Sequence, residues 1–180
     1  MSKLFVISGS SGVGKGTVIK DFLAKHPDFK LSISCTTRGK REGEVHGVNY
    51  FFLTQDEFKN HISNDEFLEW AEFSGNHYGT KKSFVNECLA NGESLILEID
   101  TKGALNVKKI MPEAVLIFIA PPSIEELEAR LRGRHTETEE AIQKRLASIK
   151  LEMENSKLFD YKVINDTVEN AVKELEKIMC

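Results

Sequence analysis

The chain carries a run of glycines and small polar residues that ends in a lysine and a threonine. Between a short apolar stretch and a helical pattern, the sequence reads Gly9-Ser10-Ser11-Gly12-Val13-Gly14-Lys15-Gly16-Thr17. Glycines let backbone N–H groups turn toward a phosphate, and the helix N-terminus adds partial positive charge. Lys15 supplies a full positive charge for the outer phosphates. The segment therefore predicts a loop that binds the phosphates of a nucleoside triphosphate.

The position after the lysine bears on the metal that accompanies such a nucleotide. In many loops of this type, a hydroxyl residue directly after the lysine contacts Mg²⁺. Here that position is Gly16, and Thr17 follows. We expect Thr17 to be the nearest hydroxyl, and Asp100, which follows an apolar run, to act on Mg²⁺ through water.

A second basic segment follows, Arg38-Gly39-Lys40-Arg41. Arginine presents planar, bidentate donors that suit a phosphate group. Taken alone, the segment is also compatible with a solvated basic loop.

Apolar runs predict the strands that must position these residues. Residues 4–8, 94–99 and 114–120 are continuous apolar runs, as is typical of central parallel strands, and residues 31–34 and 161–165 are shorter candidates. Helical patterns fall between them, over residues 15–26, 102–110, 123–132, 138–157 and 167–179.

Alternating strands and helices indicate an α/β protein with a doubly wound parallel sheet. Ligands of such sheets bind at the carboxyl ends of the strands, where we expect Ser8, Ser34 and Asp100. Residues 35–84 depart from the alternation: they are rich in aromatics and include a helix start at Thr54. We predict a small strand-rich insertion around one helix.

Composition limits the function further. The 180 residues are 41% hydrophobic and 29% charged, with a formal net charge of −4, which predicts one soluble domain and argues against non-specific nucleic-acid binding. No apolar stretch approaches the roughly 20 residues that span a bilayer. The three cysteines lack metal or disulfide spacing, which favours a reducing cytoplasm. We expect small-molecule substrates, no membrane or nucleic-acid partner and no obligatory protein partner.

Six segments resemble guanylate kinases, and they occur in the family's order along nearly the whole chain. They read Ser32-Ile33-Ser34-Cys35-Thr36-Thr37-Arg38-Gly39-Lys40-Arg41-Glu42-Gly43-Glu44, His46-Gly47-Val48-Asn49-Tyr50, Phe67-Leu68-Glu69-Trp70-Ala71, Gly75-Asn76-His77-Tyr78-Gly79-Thr80, Leu97-Glu98-Ile99-Asp100 and Ala120-Pro121-Pro122-Ser123. The resemblance implies transfer of a phosphoryl group from ATP to GMP or dGMP, with Mg²⁺. It also implies a P-loop NTPase-like core (residues 1–34, 85–126 and 146–180), a GMP-binding insertion (35–84) and a lid (127–145).

The resemblance also assigns roles to individual positions. The matching residues that bind GMP are Ser34, Arg38, Arg41, Tyr50, Glu69, Tyr78, Thr80 and Asp100. On the ATP side it adds Arg130, and Asn165 beside the adenine, to the residues of the glycine loop. Those expected to act in catalysis are Lys15, Arg38, Arg134 and Arg145. For Arg132 we prefer a solvated helix end.

Glu69 is the candidate that reads the base. Guanine shows two adjacent donors, N1–H and the N2 amino group, and one carboxylate accepts both. Adenine offers an acceptor and a C–H there, so the pairing fails. A site built on such a pair discriminates by roughly four orders of magnitude.

Two other functions stay open at this point. The ending Gly14-Lys15-Gly16-Thr17 is shared with adenylate kinases, so the substrate could be another nucleoside monophosphate. The Arg38–Arg41 segment and Glu69 argue against that. The other possibility is a non-catalytic binding module with a guanylate-kinase-like fold. Such modules typically lose a competent ATP loop, whereas this chain keeps its glycines and Lys15.

Overall fold

The computed structural model describes residues 2–133 and 138–180, apart from the side chains of Arg130 and Leu131. In chain order the strands are β1 Leu4–Gly9, β2 Phe29–Leu31, β3 Cys35–Thr36, β4 Phe51–Phe52, β5 Phe67–Phe73, β6 Asn76–Lys81, β7 Ser94–Glu98, β8 Val115–Ala120 and β9 Tyr161–Ile164. The helices are α1 Lys15–Lys25, α2 Gln55–Ser63, α3 Lys82–Ala90, α4 Thr101–Ile110, α5 Ile124–Gly133, α6 Glu139–Asn155 and α7 Val168–Met179. Within the described residues, no helix is long and apolar enough to cross a membrane.

The central sheet has the strand order β2-β7-β1-β8-β9, and each neighbouring pair is parallel. Apolar residues of α1 and α7 pack on one face of the sheet, and those of α3 and α4 pack on the other. The long apolar runs of β1, β7 and β8 are buried because both faces are covered. The predicted doubly wound parallel sheet is confirmed.

A second, mixed sheet has the order β4-β3-β6-β5. Phe58 of α2 packs there on Phe67, with 4.5 Å between the ring centroids, and on buried Cys35. The capping box that begins α2 is present, since the Thr54 hydroxyl accepts from the Glu57 N–H and the Glu57 carboxylate accepts from the Thr54 N–H. A helix and a strand-rich sheet therefore lie where the aromatic segment predicted them.

One strand lies elsewhere than predicted. β2 begins at Phe29, whose ring packs on Phe5 and Phe22, and it ends at Leu31. The chain then leaves the central sheet, and the Ser34 carbonyl accepts from the Phe51 N–H in the small sheet. The expectation that Ser34 ends a central strand was wrong, because this residue leads into β3.

Helix α3 was not predicted, although Val85, Cys88 and Leu89 follow a helical spacing. Its N-cap is Lys81, which makes no side-chain cap bond, so the local signal for a helix start is missing. The long helix predicted over residues 138–157 begins after its cap Thr138 and ends at Asn155, where a short 3₁₀ turn continues to Leu158.

Candidate functional site

The glycine loop forms the turn that its sequence predicts. It joins β1 to α1, and Gly12 and Gly14 have φ angles of 81° and 89°, in the left-handed region that favours glycine. Gly14 is the N-cap of α1, and its carbonyl accepts from the N–H groups of Thr17 and Val18. Lys15 is thus the first residue of the helix, where the partial positive charge of the helix N-terminus adds to its own.

Two contacts hold the loop against the central sheet. A Cβ atom at Gly9 would lie 2.4 Å from the Ile119 carbonyl oxygen, so only glycine fits beside β8. Asn165 is 6% exposed, and its Nδ2 donates to the Val13 carbonyl at 2.7 Å. The residue that we expected beside the adenine thus bonds to the loop itself.

Two carboxylates face the loop. Glu98 lies 3.9 Å from the Lys15 Nζ, and Glu152 of α6 accepts from the Ser11 N–H at 3.3 Å. Burial raises the pKa of Glu152, while the Ser11 N–H and Lys15 oppose that rise. Sequence reasoning missed Glu152, because a charged residue in an amphipathic helix carries no local signal of a partner so far away along the chain.

Arg38 makes a bidentate pair with a residue that sequence reasoning did not single out. Its two terminal nitrogens donate to the Glu44 carboxylate at 2.7 and 3.1 Å, and one of them also donates to the Gly39 carbonyl. The Arg41 backbone N–H donates to the same carboxylate at 2.8 Å. These bonds, led by the one from Arg38, lower the pKa of Glu44. The basic segment is therefore an ordered turn around Glu44.

The predicted tyrosines lie beside this turn. The Arg38 guanidinium carbon lies 5.4 Å from the centroid of the Tyr50 ring, and the rings of Tyr50 and Tyr78 are 6.2 Å apart. Burial, followed by the negative charge of Glu98, raises the pKa of Tyr50, which keeps its hydroxyl a neutral donor. The structure brings Arg38, Tyr50 and Tyr78 together as a cluster of donors, while the side chain of Arg41 is exposed.

Glu69 and Thr80 form a buried pair in the small sheet. They lie opposite each other on β5 and β6, and the Thr80 hydroxyl donates to Glu69 Oε1 at 2.8 Å. Glu69 is 7% exposed and Thr80 is fully buried. Burial raises the pKa of Glu69 to about 7, although the Thr80 hydrogen bond opposes the rise. Glu69 is thus not the surface charge that a strand carboxylate usually is.

Asp100 and the first turn of α4 lie beside Glu69. Asp100 is the N-cap of α4, and its Oδ1 accepts from the Gly103 N–H at 2.7 Å. A Cβ atom at Gly103 would lie 2.7 Å from Glu69 Oε2, so the first turn of α4 touches the buried carboxylate. Ser34 is half-buried directly before β3, and Thr17 is exposed in the first turn of α1.

The structure describes the expected lid arginines only in part. Arg145 is half-buried on α6, whereas Arg134 and the side chain of Arg130 lie outside the described residues. Arg132 pairs with Glu128, with 2.8 Å between Nε and Oε1, and also with Glu139. Arg132 therefore makes surface ion pairs at the end of α5.

Comparison with known proteins decides the family. The family model described as guanylate kinase matches residues 1–180. The chain belongs to the guanylate kinase family. A guanylate kinase from Clostridium acetobutylicum is 54% identical over 176 residues, which cover 98% of this chain and 84% of that protein. A guanylate kinase from Synechococcus sp. strain CC9311 is 50% identical over 174 residues, which cover 97% of this chain and 92% of the relative.

A solved guanylate kinase has the same fold. The crystal structure of guanylate kinase from Anaplasma phagocytophilum aligns with a TM-score of 0.83 at 31% identity, and the alignment covers 99% of this chain and 84% of that one. The guanylate kinase fold thus accounts for the central parallel sheet and the small mixed sheet together. The resemblance that the six sequence segments indicated is confirmed.

Proposed function

We propose that this chain transfers the γ-phosphoryl group of ATP to GMP, and to dGMP, giving ADP and GDP. The buried pair of Glu69 and Thr80 is the observation that carries the choice of guanine. Thr80 donates to one carboxylate oxygen, so the ionised carboxylate keeps acceptor capacity for guanine N1–H and the N2 amino group. Full-length similarity to guanylate kinases supports the same substrate pair.

ATP binds through the glycine loop in this proposal. The residues involved are Gly9, Ser10, Ser11, Gly12, Val13, Gly14, Lys15, Gly16 and Thr17, and the family match adds Arg130. Backbone N–H groups surround the phosphates while Lys15 neutralises the outer ones. Asn165 supports ATP binding indirectly in this proposal. Its side-chain amide donates to the Val13 carbonyl and so holds the glycine loop in place.

The phosphate of GMP binds at the cluster of Arg38, Tyr50 and Tyr78, with Arg41 at its edge. The bonds to Glu44 and Gly39 use only part of the donor set of Arg38. The guanidinium therefore keeps N–H groups for a phosphate while Glu44 holds its plane in place. We also assign to the base the hydroxyl of Ser34 and the carboxylate of Asp100, which lies beside Glu69.

Transfer of the phosphoryl group depends mainly on positioning and on positive charge around the moving group. We assign these tasks to Lys15, Arg38, Arg134 and Arg145. Mg²⁺ prefers oxygen ligands and keeps several waters, so the Thr17 hydroxyl and the Asp100 carboxylate fit it as auxiliary groups to the ATP phosphates. When bound, Mg²⁺ would neutralise part of the negative charge on the ATP phosphates.

We divide the single domain according to these tasks. Residues 1–34, 85–126 and 146–180 form the core that binds ATP, residues 35–84 form the GMP-binding insertion, and residues 127–145 form the lid. Both substrates are small molecules of the cytoplasm, where we place the protein. The reaction requires no nucleic acid, membrane or obligatory protein partner.

A coupled assay of ADP release tests the proposal directly. The chain is supplied with ATP and Mg²⁺, and GMP, dGMP, AMP, UMP and CMP are compared as acceptors. We expect GMP and dGMP to be phosphorylated and the other three to react at least about 10³-fold more slowly, as expected for a site built on paired hydrogen bonds. Equal turnover of AMP and GMP would contradict the choice of guanine. Binding of GMP with no turnover would favour the non-catalytic alternative.

A further inference from the structure

Gly103 occupies the point where the central part of the fold touches the carboxylate that we assign to guanine. It is the third residue of α4, while Glu69 lies on β5 of the small sheet. A Cβ atom at position 103 would lie 2.7 Å from Glu69 Oε2 and 3.3 Å from Glu69 Cδ. Even the smallest side chain would therefore displace the carboxylate.

Backbone conformation does not explain a glycine at this position. The φ angle of Gly103 is not in the left-handed region, and its N–H makes an ordinary capping bond to Asp100 Oδ1 at 2.7 Å. A glycine in a helix is less favourable than an alanine. Space for the Glu69 carboxylate is thus the physical reason for glycine here.

Two neighbours bear on the place of the Glu69 carboxylate. The Thr80 hydroxyl donates to Oε1 at 2.8 Å, and the missing side chain of Gly103 leaves the space that Oε2 occupies. The first helical turn of α4 also presents partial positive charge to the carboxylate. One oxygen is thus held by a hydrogen bond, and the other depends on the absence of a side chain at position 103.

We propose that Gly103 is a positioning residue for guanine recognition, which sets the place of the Glu69 carboxylate by leaving room for it. The inference rests on the proposed function and deepens it, because it names a residue outside the substrate contacts that determines the base preference. Moving a reacting or binding group by about 1 Å reduces rates by roughly 10²-fold.

The test compares Gly103→Ala with the wild-type chain, using GMP and IMP as acceptors. IMP lacks the N2 amino group and so forms only one of the two bonds to the carboxylate. We expect the ratio of kcat/KM for GMP to that for IMP to fall roughly tenfold or more, the scale set by a displaced binding group. KM for ATP stays within about twofold, because the three atoms nearest to the added methyl group belong to Glu69 and Asp100 and none to the phosphate loop. The ratio does not depend on the fraction of folded enzyme, so it remains informative if the variant is less stable.

Two further variants sharpen the test. Lys102→Ala is the matched control: it alters the neighbouring, exposed residue of the same helical turn, and we expect an unchanged ratio. Glu69→Asp shortens the carboxylate by one methylene, so the Gly103→Ala methyl group fits better in that background. We expect the double variant to lose less than the product of the two single losses.

The outcomes separate the inference from the function on which it rests. Wild-type turnover of GMP over AMP tests the proposed function alone. If the wild-type chain prefers GMP but Gly103→Ala keeps the wild-type GMP-to-IMP ratio, Gly103 does not position Glu69. Strict multiplicativity of the two single effects would overturn the inference as well.

Discussion

Lys15 is the residue on which phosphoryl transfer should depend most directly. It is the first residue of α1, and the only ion pair described for it is the one with Glu98, at 3.9 Å. Such a long contact contributes little to the free energy of unfolding. We expect Lys15→Ala to unfold at nearly the wild-type temperature, yet to lose roughly 10²–10³-fold in kcat, the scale for removing one charge-stabilising donor.

Thermal unfolding and steady-state kinetics with saturating ATP and GMP measure both quantities. Lys20→Ala is the matched control, because it removes an exposed lysine from the same helix. A Lys15→Ala protein that is folded and has a near-normal kcat would remove this residue from the mechanism.

The Glu69 carboxylate, which we assign to guanine, should also make the free energy of unfolding depend on pH. Its pKa is raised to about 7 by burial, from an ordinary value of 4.5. Between these two pH values, the folded protein holds a proton that the unfolded chain has released. Stability therefore falls as the pH rises through this window and levels off above pH 7, by up to about 3 kcal/mol for this group.

We expect Glu69→Gln to remove that pH dependence. The free energy of unfolding of the variant should exceed that of the wild type at pH 8 by an amount that shrinks toward pH 4.5. The same variant should lose about 2–4 kcal/mol in transition-state binding of GMP, because the amide turns an NH₂ group toward a guanine donor. Urea titrations at several pH values, with kcat/KM for GMP at pH 8, check both parts. A variant that is less stable than wild type at pH 8 would contradict the buried charge.

At the scale of elements, the end of β9 supports the phosphate loop through one side chain. Asn165 follows that strand, and its amide donates to the Val13 carbonyl at 2.7 Å. Removing it leaves a buried carbonyl unpaired, which costs about 1–3 kcal/mol. We expect Asn165→Ala to weaken ATP binding and to leave GMP binding within about twofold, because the hydrogen bonds described for Asn165 go to Val13 and Ala120 and none to the small sheet.

Calorimetric titration with ATP and, separately, with GMP distinguishes the two effects. Lys162→Ala alters an exposed residue of β9 and serves as the control. Equal losses of affinity for both nucleotides would indicate a general loss of folding rather than support of the loop.

The elements that the sequence predicted well carry local signals. The loop has its glycines and Lys15 in one short segment, and helix α2 has a capping box at Thr54. Helix α3 has no side-chain cap and was missed. Apolar and polar residues alternate from β2 through residue 34, so the sequence did not show where β2 ends, and the strand was predicted too far along the chain.

The site residues divide in the same way. Arg38, Tyr50, Glu69 and Tyr78 were assigned to the site from family-like segments, whereas Glu44, the ion-pair partner of Arg38, was not singled out. Contacts such as that of Glu152 with Ser11 join helices and loops far apart in sequence, and a single chain carries no local trace of them. Glu44 is close to Arg38, yet a carboxylate in a basic turn reads equally as a solvated charge.

At the scale of the whole molecule, the two sheets carry different halves of the proposed site. The phosphate loop extends from the central sheet. Arg38 follows β3 and Glu69 lies on β5, and both of these strands belong to the small sheet. Water must be kept from the γ-phosphate, or hydrolysis of ATP competes with transfer. We expect the molecule to become more compact when GMP and a non-hydrolysable ATP analogue bind together.

Small-angle X-ray scattering measures this change as a decrease in the radius of gyration. AMP in place of GMP is the control, since it lacks the donors that pair with Glu69. An unchanged radius of gyration in the ternary complex would contradict closure.

The strand order has a consequence for how the chain is made. β1 is synthesised first but lies in the middle of its sheet, where Leu4 pairs with Leu95 and Phe5 with Val115. The strands of the small sheet all lie between these segments, from Cys35 to Lys81. On the ribosome, the strands of the small sheet can therefore pair before the strand that carries the phosphate loop has any sheet partner. The apolar β1 segment has only α1 to pack on during that interval, so the central sheet is completed last although its middle strand is made first.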